Sequence, residues 1–390
     1  MRELDVRKAT HFASIPDDWK VVPLLNATKY STGFTPPSGN ESYYGDDYPW
    51  ANISDFDGRR VLSETQRGLS LYAIEKFPDE APAPKGSLLF SFKLSVGNVA
   101  VAGKDLYTNE AIAAFVPGKE LNINYAYYCF PVFLPLYSQT NIYGAELLGG
   151  SRFERTKIPL PPLETQQRIA DYLDRETAEI DAAVADLDKY VELLNVKLES
   201  ASREVFTELS ANHPLIQTKF LVDITTGSGD TQDSQENGGF PFYVRSDTIQ
   251  RAEDFEFDCD AVLTSGDGAG VGKIFHLAGG KFKAHQRVYV MHNFKRVSPQ
   301  YFYWMFKSAF PDAIRYGGAK STVDSVRRPM IANLKIPVPD HDAQEKASKR
   351  IEKLHHEVSA LIAKSTKLRD LLLKRRSVLI TEVVTGRKQV

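Results

Sequence analysis

Twelve lysines and arginines fall between Lys273 and Lys335 (residues 273, 281, 283, 287, 295, 296, 307, 315, 320, 327, 328 and 335), against two acids, Asp312 and Asp324. Positive charge at that local density is what neutralising a phosphate backbone requires. It stands out because the whole chain carries a net charge of −2 and has a pI near 6.5. Within the stretch, Gly317 to Thr322 form a polar glycine-rich loop in which Lys320, Ser321 and Thr322 supply donors, and Arg327 and Arg328 follow closely. Such donors suit phosphate oxygens or base edges. Arg245, Lys273, Lys283 and Arg287 extend the same candidate surface, and Arg59, Arg60, Arg67 and Arg152 are the basic candidates of the first half. The competing reading is that the excess only balances the acidic run from Glu253 to Asp260.

The chain carries no recognisable catalytic pattern. Ser265 to Ile274 is glycine-rich, but it lacks the Gly-x-x-x-x-Gly-Lys register and has Ile274 where a phosphate loop needs Ser or Thr. It reads as a turn at a strand junction. Asp18-Trp19-Lys20 has the spacing of a nuclease Asp-x-Lys without a partner acid upstream. Pro159-Leu160-Pro161-Pro162 lacks the Asn or Asp that would orient a target amino group for methylation. The histidines, His213 and His355-His356 included, form no ligand array with cysteine or carboxylate. Cys129 and Cys259 have no CxxC partner, which argues against zinc and for a reducing compartment. No apolar run is long enough for a membrane span, and the first residues do not resemble a signal peptide, so a cytoplasmic location without a membrane partner is expected.

The elements that must carry the basic residues are more legible. Lys157-Ile158-Pro159-Leu160-Pro161-Pro162 leads into a stretch without proline or glycine, from Leu163 to Leu209. Its apolar residues at Ile180, Val184, Leu187, Val191, Leu194 and Leu198 are spaced as a heptad seam. A helix from Glu164 to Leu209 would be about 69 Å long at 1.5 Å per residue. Lys335-Ile336-Pro337-Val338-Pro339 repeats the lead-in, and a second long helix is expected with its seam at Val358, Leu361, Leu368, Leu372 and Leu379, an N-terminal capping box at Asp342 and Glu345, and Gly386 beyond its end. Lys374-Arg375-Arg376 reads as a solvated face.

The regions before each helix read as short β-rich runs broken by turn residues, and they correspond to one another. Tyr48-Pro49-Trp50 matches Phe240-Pro241-Phe242, Asn109-Glu110 matches His285-Gln286, Tyr125 to Tyr128 match Tyr301 to Trp304, and Tyr143-Gly144 matches Tyr316-Gly317. The chain is thus an α+β tandem duplication. Its parts are a first β-rich domain over 1–157, a long helix over 158–212, a second domain over 213–335 and a second helix over 336–390. Antiparallel pairing of the helices as a coiled coil, with approximate two-fold symmetry, is the simplest packing.

Two variable β-rich domains, each followed by an Ile-Pro-x-Pro lead-in and a long helix, with Leu160 to Ala170 and the C-terminal Leu379-Ile380-Thr381 to Gly386, resemble the specificity subunit of Type I restriction-modification systems over essentially the whole chain. The resemblance implies two target recognition domains, each reading one half of a split, asymmetric site on double-stranded DNA, and helices that hold the halves at a fixed spacing. It further implies two modification (methyltransferase) subunits and, for cleavage, restriction subunits as partners. It implies no catalytic site and no cofactor on the chain itself, with S-adenosylmethionine, ATP and Mg²⁺ acting on the partners. The alternatives are a self-sufficient DNA methyltransferase or endonuclease, and a coiled-coil scaffold with peptide-binding domains.

Overall fold

The structure, a computed structural model, describes residues 3–140, 146–149, 151–316 and 325–390. The chain divides into two units, residues 1–185 with 369–390 and residues 186–368.

In the first unit, Thr28–Thr32, Ile112–Pro117, Leu88–Ser91, Val99–Ala102 and Val61–Leu62 form a five-stranded sheet in that order. A smaller sheet holds Tyr44–Ala51 between Gly68–Leu69 and Tyr107–Thr108. The helix Ile123–Phe133 packs over the larger sheet because its apolar residues run almost all round it: Tyr125, Phe130 and Phe133 are fully buried with Phe90, Phe115 and Phe153. The same core takes in Ile169, Leu173 and Ile180 of the first long helix and Leu379, Val383 and Val384 of the second. The second unit repeats the plan. Asp223–Thr226, Val288–His292, Ala261–Ser265 and Phe275–Ala278 form its main sheet, and the helix Pro299–Tyr316 buries Tyr301, Phe302, Phe306 and Phe310 against it. Those aromatics are core, as their helical spacing suggests. Val205, Ala347 and Ile351 of the long helices close that core.

The long helices span Leu163–Asn212 and His341–Val384. In the second unit Ser202 lies 3.5 Å from His355 and Glu208 pairs with Arg350 at 3.0 Å, so the two helices run antiparallel there. In the first unit Asp181 pairs with Arg376 at 2.8 Å. Ile180, Leu194, Val358 and Leu379 are buried seam residues, and Val184, Leu187, Val191, Leu198 and Leu372 are partly covered. Leu361 and Leu368 are not in the seam: they are 41% and 49% exposed. The inward stripe instead runs through Val358, Ile362, Ser365, Arg369, Leu372, Arg376 and Leu379. Alternating steps of four and three admit two phases between the shared positions; Leu361 and Ile362 fit either, and Leu368, apolar beside Arg369, points to the wrong one. The observed phase accepts two arginines, whose stems can cover apolar surface while their heads reach an acid, as Arg376 does at Asp181. Lys374 and Arg375 are exposed, as expected of a solvated face. The cap of the second helix is Asp340, whose carboxylate accepts from Ala343 N at 2.8 Å, two residues before the expected Asp342. Gly386, at φ +73°, follows the helix end as expected.

The Ile-Pro segments are more than helix lead-ins. Each is a short strand that pairs antiparallel with the strand entering its own domain, Val22 opposite Ile158 and Ile216 opposite Ile336. Both isoleucines are fully buried. A joint then fixes the domain to its helix in both units. Tyr125 donates to Pro159 O at 3.0 Å, and Tyr301 to Pro337 O at 2.9 Å. Gln166, fully buried, donates to Glu120 O and Pro161 O, both at 2.8 Å, and accepts from Asn122 N at 2.8 Å. Gln344 does the same with Arg296 O (2.8 Å), Pro339 O (3.0 Å) and Ser298 N (3.0 Å).

One half-buried histidine makes the second unit sensitive to acid. His355 lies 4.4 Å from Trp304, ring to ring, and burial, helped by nearby Lys307, holds its pKa down to about 4 from an ordinary value near 6.5. The unfolded chain binds the proton more readily than the folded one, so stability is full above pH 6.5, falls as pH drops below it and levels off below about pH 4. His355→Phe is expected to flatten the fall in melting temperature between pH 6.5 and 4.5. Parallel curves for the two proteins would show that this ring is not responsible.

Candidate nucleic-acid interface

Corresponding strand ends build one loop cluster in each domain. Trp50 and Ala51 pair in parallel with Tyr107 and Thr108, and Phe242 and Tyr243 with Lys283 and Ala284. Beyond them, Asn109 N donates to Ala51 O at 2.9 Å and His285 N to Tyr243 O at 2.9 Å. Phe34 N reaches Thr108 O at 2.9 Å, and Gly229 N reaches Ala284 O at 3.0 Å. Glycine is required beside both: a Cβ on Gly33 would lie 1.7 Å from Thr108 O, and one on Gly227 would lie 2.0 Å from Ala284 O. The pairing of Asn109-Glu110 with His285-Gln286 is therefore structural as well as sequential. Tyr143-Gly144 and Gly317 lie outside the described residues.

In the second domain this cluster is cationic. Arg245 donates to Asp267 Oδ1 at 2.8 Å and Arg287 stands 3.5 Å from Asp267 Oδ2. Asp267 opens the short turn Gly268–Gly270, and positive φ values at Gly268 and at Gly272 just beyond it require glycine there. Val326 N donates to Gly266 O at 2.8 Å, which brings the segment leading to Arg327 and Arg328 alongside. Lys273, Arg327 and Arg328 are exposed, and no ion pair involving them occurs among the described residues. Lys320, Ser321 and Thr322 lie outside the described residues.

Other basic candidates are engaged within the protein, and here the structure departs from expectation. Lys283 is only 12% exposed, held by Asp254 at 2.7 Å and Asp233 at 3.2 Å. These bonds, the one to Asp254 foremost, raise its pKa. For this residue the acidic run is the partner, as the competing reading held. Arg60 pairs with Asp174 of the first long helix, donates to Asn124 at 3.0 Å and lies over the Tyr127 ring at 4.9 Å, so it braces the domain against the helix. Arg152 donates to Tyr137 O at 3.3 Å. Arg67 stacks over Tyr44 at 4.2 Å. Arg59, exposed, bonds Asp57 at 2.7 Å in its own turn and, with its backbone N–H foremost, lowers the pKa of that carboxyl. Arg203, unmarked by any motif, is a brace of the Arg60 kind, pairing with Asp312 at 3.1 Å. Only the acid facing it across the fold reveals that role.

Among the described residues no group of His, Cys, Asp and Glu side chains is arranged to hold a metal ion, and no helix is long and apolar enough to cross a membrane. The Cys129 thiol is buried and pushed up to about 12, far from a reactive thiolate.

Comparison with known proteins fits this arrangement. The MjaVIII specificity subunit of Methanocaldococcus jannaschii, a type I restriction enzyme component, is 22% identical over 98% of this chain and 96% of its own length. The MjaIX specificity subunit of the same organism is 29% identical over 43% of this chain and 39% of that protein, and the EcoDI specificity subunit of Escherichia coli is 24% identical over 43% and 36%. These two matches thus take in less than two-fifths of each relative. Among solved structures, a chain from work on complex assembly and conformational transition of the type I R-M system superposes with a TM-score of 0.72 at 17% identity, covering 95% of this chain and 98% of that one. The HsdS subunit of Thermoanaerobacter tengcongensis superposes at 0.51 and 15% identity, covering 95% and 98%. The type I restriction modification DNA specificity domain matches residues 16–185 and 219–368, most of the chain, and the protein belongs to that family.

Proposed function

We propose that this chain is the non-catalytic DNA specificity subunit of a Type I restriction-modification complex, each β-rich domain reading one half of a split target. The observation that carries this reading is the duplication itself: two domains share a backbone plan down to individual hydrogen bonds, yet carry different side chains in the loop cluster that the plan presents. A protein that reads two unlike half-sites needs this combination of constant frame and variable surface. On this reading the helices set the spacing and, with the domain sides beside them, dock two modification subunits. Restriction subunits join for cleavage, and S-adenosylmethionine, ATP and Mg²⁺ act on those partners. The complex works in the cytoplasm.

Expressing the chain with its partner subunits and mapping methylated adenines is expected to yield a bipartite, asymmetric motif. Exchanging residues 213–335 for the corresponding domain of another family member should change one half of the motif and leave the other intact. A change in both halves, or in neither, would refute the assignment of one half-site to each domain. The purified chain alone, given DNA, S-adenosylmethionine and Mg²⁺, should form no product; methylation or cutting would favour the self-sufficient enzyme.

A further inference from the structure

The loop clusters of the two domains are equivalent in backbone and opposite in chemistry. Two residues beyond the paired Ala51 and Tyr243 stand Ile53 and Arg245; two residues beyond the paired Asn109 and His285 stand Ala111 and Arg287. The first cluster thus has an aliphatic residue at each position where the second has an arginine. Nearby in the first, Thr35 donates to the Glu110 carboxylate, leaving an acidic and hydroxyl-bearing surface.

In the second domain the two guanidinium groups share one carboxylate. Asp267 is 21% exposed while Arg245 and Arg287 are 45% and 63% exposed, so the acid lies behind and the arginine heads face outward. Each arginine spends one Nη1 on Asp267, and no other side-chain partner for either occurs among the described residues. A guanidinium has five N–H donors, so each keeps a free fork. Asp267 is itself fixed, its carbonyl accepting from Ser265 Oγ at 2.9 Å. Beneath Arg287, buried His285 accepts the Arg287 backbone N–H on Nδ1 at 3.0 Å, and burial, with Arg245 nearby, lowers the pKa of that imidazole. Asp267 thus sets the directions of two donor forks before any ligand arrives. A fork of this kind matches the adjacent O6 and N7 acceptors of guanine in the major groove with a rigid planar geometry that an ammonium does not reproduce.

We propose that Arg245 and Arg287, oriented by Asp267, are base-reading residues of the second domain and select G·C pairs in its half of the target. This rests on the DNA-reading function proposed above. It also assigns the two half-sites different readout: donors in the second domain, acceptors and apolar contact in the first.

The test is selection from a library of randomised duplexes by the full-length chain purified with its partner subunits. The wild type should enrich a split motif with at least one fixed G·C pair in the half assigned to the second domain. Arg245→Lys or Arg287→Lys, which keeps the charge beside Asp267 but loses the fork, should cut that preference about ten- to a hundred-fold and leave the other half unchanged. Asp267→Asn, which frees both heads without removing them, should also blur the preference while binding to mixed-sequence DNA persists; with melting temperatures, it separates misaimed arginines from a misfolded domain. A split motif whose G·C preference survives in all three folded variants overturns this proposal and leaves the specificity-subunit reading standing. No enriched motif with the wild type overturns both.

Discussion

Gln166→Leu is expected to destabilise the first unit by about 3 kcal/mol, and Gln344→Leu the second by a similar amount. Leucine matches the buried volume but removes a donor pair and an acceptor at once. Asn122 N, Glu120 O and Pro161 O are then left facing an apolar side chain. A buried polar group without its partner costs about 1–3 kcal/mol. The partially accessible edges at Glu120 and Asn122 can recruit water, whereas the Pro161 carbonyl cannot. The two glutamines share no partner, so the losses should add to within about 0.5 kcal/mol in the double variant. Calorimetry resolves the effect as a downward shift of the transition of the altered unit, with Gln166→Glu as a second probe that keeps the shape and acceptor but not the donors. If either leucine variant melts within a degree of the wild type, the joint is not what ties domain to helix.

The second large effect concerns which charges face DNA. Replacing Lys273, Arg327 and Arg328 together by glutamine should lower affinity and flatten its dependence on salt, by about 0.9 in the log–log slope for each phosphate left without its cation, or nearly 3 if all three residues contribute. Lys283→Gln and Arg60→Gln serve as opposite controls. They remove as many charges apiece as any member of the triple, but from residues held by Asp233 and Asp254 or by Asp174. They should reduce stability and leave the salt slope unchanged. The outcome that defeats this division is a slope that responds to total charge alone, with Lys283→Gln as effective as Lys273→Gln. On the same grounds the second domain should dominate the salt dependence of the whole chain, since of the first-domain candidates Arg60 and Arg152 are turned to internal partners and Arg59 to Asp57, which leaves Arg67, over the Tyr44 ring, as the one of them without a bonded acceptor among the described residues.

The frame was legible because periodicity and proline survive translation into structure almost unchanged. Pro159 and Pro337 do mark both joints, the helices end near Asn212 and Val384, and the aromatic segments at Tyr125 and Tyr301 are core helices. The site was legible only as a set of cations. Sequence spacing cannot tell Arg245, which shares Asp267 at the surface, from Lys283, which is enclosed between two acids. The distinction lies in which carboxylate the fold brings within bonding reach, and those carboxylates are 22 to 50 residues distant. The seam failed at Leu361 and Leu368 for a related reason. A heptad pattern reports apolar positions, whereas the true phase is set by what the facing helix offers, and at Arg376 it offers Asp181.

The glutamine–tyrosine joint has a consequence for how such chains can change over time. Its acceptors are main-chain carbonyls, at Pro159 and Pro161 in one unit and Pro337 and Pro339 in the other, and its side-chain contributions come from one tyrosine in the domain and one glutamine at the helix start. Almost nothing in that connection depends on the residues that would meet a ligand. A domain inherited from elsewhere would take up this joint by bringing the tyrosine in its aromatic helix, a carbonyl at the position of Glu120 or Arg296 and a backbone N–H at the position of Asn122 or Ser298. Recombination at the two Ile-Pro segments would then exchange one half of a recognition specificity in a single event, and leave the inherited remainder of the protein mechanically unaware of it.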